Sequence, residues 1–60
     1  MPVLFDIGAN WGTDSLELTK NNQDLVTYAF EPTPELADHL RKSSSDFSDR
    51  YHVYEIALGD

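Results

Sequence analysis

Sixty residues with a net charge of −7 form at most one small domain, and a chain this short buries only about 60% of its unfolded surface. The acidic balance argues against a nucleic-acid partner, and without cysteine there is neither a disulfide framework nor a thiolate metal site. His39 and His52 are too few for a metal site, and no apolar run approaches the roughly 20 residues that span a bilayer.

No basic segment leads into an apolar one as in a signal peptide, so no membrane partner and a cytoplasmic location are expected. The negative charge is compatible with a cationic small molecule, although acidic surfaces commonly serve solubility alone.

Val3 to Ile7 is apolar except for Asp6, which predicts a buried parallel strand. Gly8 to Gly12 is a turn. From Thr13 or Asp14 to Asn21 the residues favour a helix, with Thr13 or Asp14 as its cap and an acid suited to the first turn. Asn21 to Asp24 reads as a loop. Leu25 to Phe30 is rich in strand formers and predicts a second strand.

Pro32 and Pro34 end that strand, and Thr33-Pro34 reads as a cap followed by a first helical residue. Leu36, Ala37 and Leu40 then lie at helical spacing through about Lys42, with His39 facing solvent. Ser43 to Asp46 is a loop, and Tyr51 to Leu58 predicts a third strand.

The order is β-α-β-α-β without a hairpin signal, which predicts a parallel sheet with right-handed crossovers. Two crossovers advancing in one direction place both helices on one face and leave the other bare. Apolar strands with a bare face need the rest of a domain, or self-association, to cover them. Met1 stands directly before the first apolar run and Asp60 directly after the last. Residues 1–60 therefore read as one partial domain, a piece of something longer.

Strand, tight glycine turn, helix, strand and terminal acid form a nucleotide-binding layout. Glu31 lies 23 residues beyond Gly8, where a carboxylate can accept hydrogen bonds from a ribose diol. The dinucleotide fingerprint asks for glycine at its first, third and sixth positions, and here these are Gly8, Asn10 and Thr13. Small or turn-forming residues at first, third and fifth positions describe the loop better, as Gly8, Asn10 and Gly12. Asn tolerates positive φ better than most non-glycine residues.

That second spacing resembles motif I of the class I S-adenosylmethionine-dependent methyltransferases. Phe5-Asp6-Ile7-Gly8-Ala9-Asn10-Trp11-Gly12 is similar to the D-x-G-A-N-x-G signature of the FkbM-type methyltransferases. Ala29-Phe30-Glu31-Pro32-Thr33-Pro34 resembles the A-F-E-P-x-P that follows in that family, and Ala57-Leu58-Gly59-Asp60 resembles the run closing its third strand. The three motifs cover nearly the whole chain. The resemblance implies the N-terminal half of a Rossmann-like fold, S-adenosylmethionine as cofactor, and O-methylation of a hydroxyl on a sugar or natural product, a small-molecule acceptor.

The resemblance also implies that Gly8, Ala9, Asn10 and Gly12 shape the loop around the methionine part of the cofactor. It gives Glu31 the ribose and sets Pro32 beside the adenine. Asp60 would approach adenine from the third strand's end. Burying the carboxylate of Asp6 unpaired would cost several kcal/mol, so loop amides or a ligand ammonium must compensate it; in the family the matching acid supports the loop. Trp11 is expected to pack into the remainder of the fold. No catalytic base is identifiable. The alternatives are a non-catalytic remnant or interaction piece of the same fold, and a nicotinamide-dinucleotide half-domain.

Overall fold

The computed structural model describes residues 2–57. Three strands, β1 (Val3–Ile7), β2 (Val26–Phe30) and β3 (Tyr51–Tyr54), form a parallel sheet in the order β1-β2-β3. The crossovers are α1 (Thr13–Asn21) and α2 (Pro34–Ser43), the latter followed by a 3-10 turn at Ser45–Phe47. This is the expected β-α-β-α-β half of a Rossmann-like fold.

β2 begins at Val26 rather than Leu25, and β3 ends at Tyr54 rather than Leu58. Glu55 to Ala57 are not strand. Glu55 instead turns toward α2, its carboxylate 3.5 Å from Arg41 Nη1. Leu58, Gly59 and Asp60, with the roles expected of them, lie outside the described residues.

The helical face of the sheet carries Thr27 and Ala29 of β2 and Tyr51 of β3, all buried. Ala29 and Tyr51 make the core with Ala9, Leu40 and Phe47, and Leu16 and Val53 pack against it. α2 supplies Ala37 and Leu40, both fully buried, at the i, i+3 spacing of one helix face. Thr33 caps α2 and Pro34 takes its first position, as expected, with Ala37 N–H donating to Thr33 O at 2.9 Å. Ser43 to Asp46 is more ordered than the expected loop: Phe47 enters the core, and the 3-10 turn delivers it there.

The stripe that α1 buries is polar. Ser15 and Thr19, four residues apart, face the sheet, whereas Leu18 is 49% exposed. Burying hydroxyls costs little when each finds a partner, and both do. Ser15 Oγ lies 2.9 Å from Tyr51 Oη, and Thr19 Oγ1 lies 2.6 Å from Thr27 Oγ1 and donates to Ser15 O. Nor does Thr13 or Asp14 cap α1. Gly12 is the cap, in the left-handed region at φ 66°. A reversed backbone at that point turns the chain from strand to helix, and no side-chain cap bond forms.

The other face of the sheet is bare. β1 was expected to be buried, but it is an edge strand of alternating exposure, with Val3, Phe5 and Ile7 between 49 and 63% exposed. Both helices pack on the opposite face, so nothing among the described residues covers these side chains. Pairing across the register brings them beside Tyr28 and Phe30 of β2 and His52 and Tyr54 of β3. The rings lie nearly parallel, with centroids 5.2 to 6.4 Å apart.

Arg50, at the start of β3, ties the layers together. Its Nη1 donates to the carbonyls of Thr19, Asn22 and Leu25 at 2.6, 2.8 and 3.3 Å. They line the chain from the last turn of α1 to the residue before β2, and those of Thr19 and Asn22 also accept the Asn22 and Leu25 amides. Charged hydrogen bonds contribute about 1.5–3 kcal/mol. Arg50→Ala should therefore lower the unfolding free energy by about that amount, measured in urea at one fixed protein concentration. A change within experimental error would mean that the clamp adds nothing to the fold.

Candidate functional site

The carboxyl ends of β1 and β2 lie side by side, with Ile7 opposite Phe30. Open α/β sheets receive ligands at this end. The amides of Gly8 and Ala9 both donate to Phe30 O, at 2.8 and 3.1 Å, so the loop is anchored to β2 as it leaves β1. Gly8, Asn10 and Gly12 then take φ of 69°, 55° and 66°. The left-handed conformation expected of Asn10 is present. Its Nδ2 donates to Gly8 O at 2.9 Å, a local bond that steadies this backbone.

Glu31 closes the loop from the other side. One carboxylate oxygen accepts the Asn10 N–H at 2.7 Å and the other accepts the Thr33 N–H at 3.0 Å. The residue is only 2% exposed. The Asn10 amide holds its carboxyl below the ordinary value of 4.5; burial pushes the other way, and Thr33 adds to the lowering. A single side chain thus joins the β1 loop, the end of β2 and the entry to α2.

Of the two compensations expected for Asp6, the loop amides do not supply one. The residue is half-buried, and among the described residues no loop amide, cation or hydroxyl lies within hydrogen-bonding or ion-pairing distance of it. It borders an open depression of about 280 Å³ shared with the loop and the first turn of α1. The unpaired burial that would have demanded compensation is avoided by this exposure. The negative charge of Asp6 reaches Tyr51, whose phenol is raised chiefly by burial, lowered by its Ser15 hydrogen bond and raised again by Asp6.

The two loop glycines differ in surroundings. A Cβ on Gly8 would meet nothing within 4 Å, so only its φ favours glycine. A Cβ on Gly12 would collide with Leu40 Cδ2 and crowd Tyr51 Oη at 3.1 Å and Leu16 Cδ1 at 3.2 Å. Gly12 therefore faces the core between α1 and α2. Ala9 is buried in that core as well, and Pro32 is exposed.

Trp11 is 62% exposed and meets the edge of His39 at 5.0 Å. His39 is half-buried by this contact and by its neighbours on α2, rather than solvent-facing. His52 lies on the bare face of the sheet, stacked on Tyr28 at 5.2 Å. Among the described residues no cluster of His, Asp and Glu is arranged to hold a metal ion, and no helix is long and apolar enough to cross a membrane. Sequence reasoning missed the Ser15–Tyr51 pair and the bracing by Glu31. The first carries no pattern in the sequence; the second was signalled only by an acid beside a proline turn.

No protein-family model matches the chain, and no solved structure matches it. Among curated proteins it is similar to the 2-O-methyltransferase NoeI of Sinorhizobium fredii, at 32% identity over 59 residues. The match takes in 98% of this chain and 24% of that protein, so the chain spans about a quarter of its relative's length. This similarity relates the chain to methyltransferases.

Two outcomes follow from the loop. Gly8→Ala should cost about 1–2 kcal/mol of stability, from left-handed backbone alone. Gly12→Ala should cost about 1–3 kcal/mol more, because overpacking is added; equal costs in chemical denaturation would place Gly12 outside the core contact. The lowered carboxyl of Glu31 contributes stability that is present above its unfolded value and lost as pH falls through the folded one. Glu31→Gln should remove that part of the acid sensitivity, read from unfolding curves at pH values below 4.5. An unaltered pH profile would show that the carboxylate does not hold the loop.

Proposed function

We propose that this chain is the cofactor-binding half of an S-adenosylmethionine-dependent methyltransferase of the FkbM type. The whole protein transfers a methyl group to a hydroxyl of a small-molecule acceptor, a sugar or a natural product. The observation that carries the reading is the loop of three left-handed residues tied by Glu31 across the ends of β1 and β2. The relative named as a 2-O-methyltransferase supports methyl transfer to oxygen.

The residues fit such a cofactor in two places. The space outside Gly8 is open, so a ligand can approach the backbone there. Asp6 offers a carboxylate at the depression beside the loop, suited to the ammonium of the methionine part. Ala9 and Asn10 set the loop's shape, Gly12 sets the angle at which α1 leaves it, and Pro32 stiffens the chain beside the adenine. Glu31 serves the ribose as well as the loop. An ionised carboxylate has about four acceptor positions, and two are used by amides. At 2% exposure, the diol reaches the other two only when the covering atoms shift.

When bound, the cofactor supplies an electrophilic methyl on a sulfonium. Transfer needs an acceptor oxygen held in line with it and, commonly, a base. The relative is about four times as long as the matched segment, and the acceptor pocket and the base belong to such further sequence.

The test is calorimetric titration of a longer protein carrying this segment with S-adenosylhomocysteine, and separately with NAD. Binding of the first alone is expected. Glu31→Ala should weaken it by about 1.5–3 kcal/mol, the worth of charged hydrogen bonds. Unchanged affinity removes Glu31 from the site, NAD binding in its place favours the dinucleotide reading, and binding of neither favours a non-catalytic remnant.

A further inference from the structure

We infer that Tyr51 and Ser15 are positioning residues for the glycine loop: their hydroxyls form a relay from β3 to Gly12 that holds the turn in shape before a ligand arrives. The inference rests on the proposal that this loop is the cofactor site. Tyr51 begins β3 and Ser15 lies in the first turn of α1, and each is 2% exposed. Ser15 Oγ lies 2.9 Å from Tyr51 Oη and donates to Gly12 O at 3.4 Å. A hydroxyl carries one proton. With the proton of Ser15 turned to Gly12 O, the phenol of Tyr51 is the donor to Ser15 Oγ. The relay therefore runs from Tyr51 through Ser15 to Gly12.

It ends at a point of the loop that no side chain of the loop itself secures. Glu31 holds the Asn10 amide, and Phe30 O holds the amides of Gly8 and Ala9. At Gly12 the backbone reverses at φ 66°, and α1 starts there without a side-chain cap bond. Glycine has more backbone conformations open to it than any other residue, so the groups around it select among them. Tyr51 does so twice. Its Oη stands 3.1 Å from where a Cβ on Gly12 would lie, and through Ser15 it reaches the Gly12 carbonyl.

A second hydroxyl pair in the same seam shows what is particular to the first. Thr19 and Thr27 are both buried, with their Oγ1 atoms 2.6 Å apart. They sit one turn farther along α1, where Thr19 donates to Ser15 O, and they make no bond to the loop. The two pairs share chemistry and burial and differ in contact with the glycine turn. If the hydroxyls served only to let α1 bury a polar stripe, the pairs would be equivalent. A loop formed in advance favours binding, because apparent affinity falls with the fraction of molecules whose site is formed.

The test uses a longer protein carrying this segment, with the variants Tyr51→Phe, Ser15→Ala and Thr27→Val. Tyr51→Phe keeps the ring that meets Phe47 edge-on and loses only the O–H. Amide hydrogen exchange is followed at Gly12, whose N–H donates to Ala9 O, and in β2, which reports the stability of the whole fold. Tyr51→Phe and Ser15→Ala should each speed exchange at Gly12 about fivefold relative to β2, the equilibrium equivalent of one ordinary hydrogen bond. Thr27→Val should leave that ratio within about twofold. Combining Tyr51→Phe with Ser15→Ala should add little to either alone, since both break one relay. Equal acceleration at Gly12 and in β2, or the same ratio in Thr27→Val, would reduce the pair to packing and overturn the inference. Titration with S-adenosylhomocysteine gives a second readout, in which Tyr51→Phe should weaken binding by about two- to fivefold and Thr27→Val by less than about twofold. Unchanged affinity in Tyr51→Phe overturns the inference. A parent protein that binds no S-adenosylhomocysteine overturns the cofactor proposal instead, and the exchange ratio then decides the role of the relay by itself.

Discussion

The bond from the Asn10 amide to the Glu31 carboxylate is the constraint on which the functional end of this molecule depends. Loops with alternating left-handed residues turn backbone amides inward, and such amides must find an acceptor. Glu31 provides it from within the chain. Because its second oxygen takes the Thr33 amide, the same group fixes where α2 begins. Loss of the carboxylate would take the protein acceptor from both amides at once.

The strands, helices and connection order were legible in the sequence because they rest on local patterns: apolar runs of five residues, turn residues between them, and proline at a helix start. Left-handed Asn10 was legible for the same reason, since residue type limits φ. What could not be read was which of two acids would meet the loop. Asp6 is expected to find compensation from loop amides or a ligand ammonium, and Glu31 to accept from a ribose diol. In the structure it is Glu31 that accepts the loop amide, placed behind the loop by the parallel register, whereas Asp6 points to a half-open depression. Sequence distance carries no information on that choice. The same holds for the polar stripe on α1, where Ser15 and Thr19 look like surface residues until Tyr51 and Thr27 arrive from other strands. The early end of β3 belongs here too, because Tyr54 pairs with Phe30, the last residue of β2, and no strand continues beyond it to pair with Glu55.

The sheet shows how a short chain divides its labour. Its buried hydroxyls gather on the helical side with Tyr51 and Phe47, and the stacked rings of Phe5, Tyr28, Phe30, His52 and Tyr54 on the other. A domain with a single layer of helices holds a small core, so the aromatic face is a reserve of burial that the described residues leave unused. Ring stacking within the face recovers part of that energy by shielding neighbouring edges, since such pairs contribute about 0.5–1.5 kcal/mol beyond area burial. It cannot replace a cover, because stacked rings in one plane still present their outer surfaces to water.

Position relative to this division separates packing from recognition in the loop. Gly12 is glycine because Leu40, Leu16 and Tyr51 surround it, a demand that any tight strand-to-helix turn could make. Gly8 meets no such demand. Its left-handed φ could be borne by Asn, as Asn10 shows two residues later, yet the space beyond its Cα is empty. At Gly8 the left-handed φ accounts for the glycine, and the empty space leaves the backbone open to the close approach that the proposed cofactor site requires. The depression bordered by Asp6 opens beside the same loop. Ala9 and Gly12 therefore belong to the packing side of the turn, and the proposed methyltransferase site rests on its open side at Gly8 and Asn10.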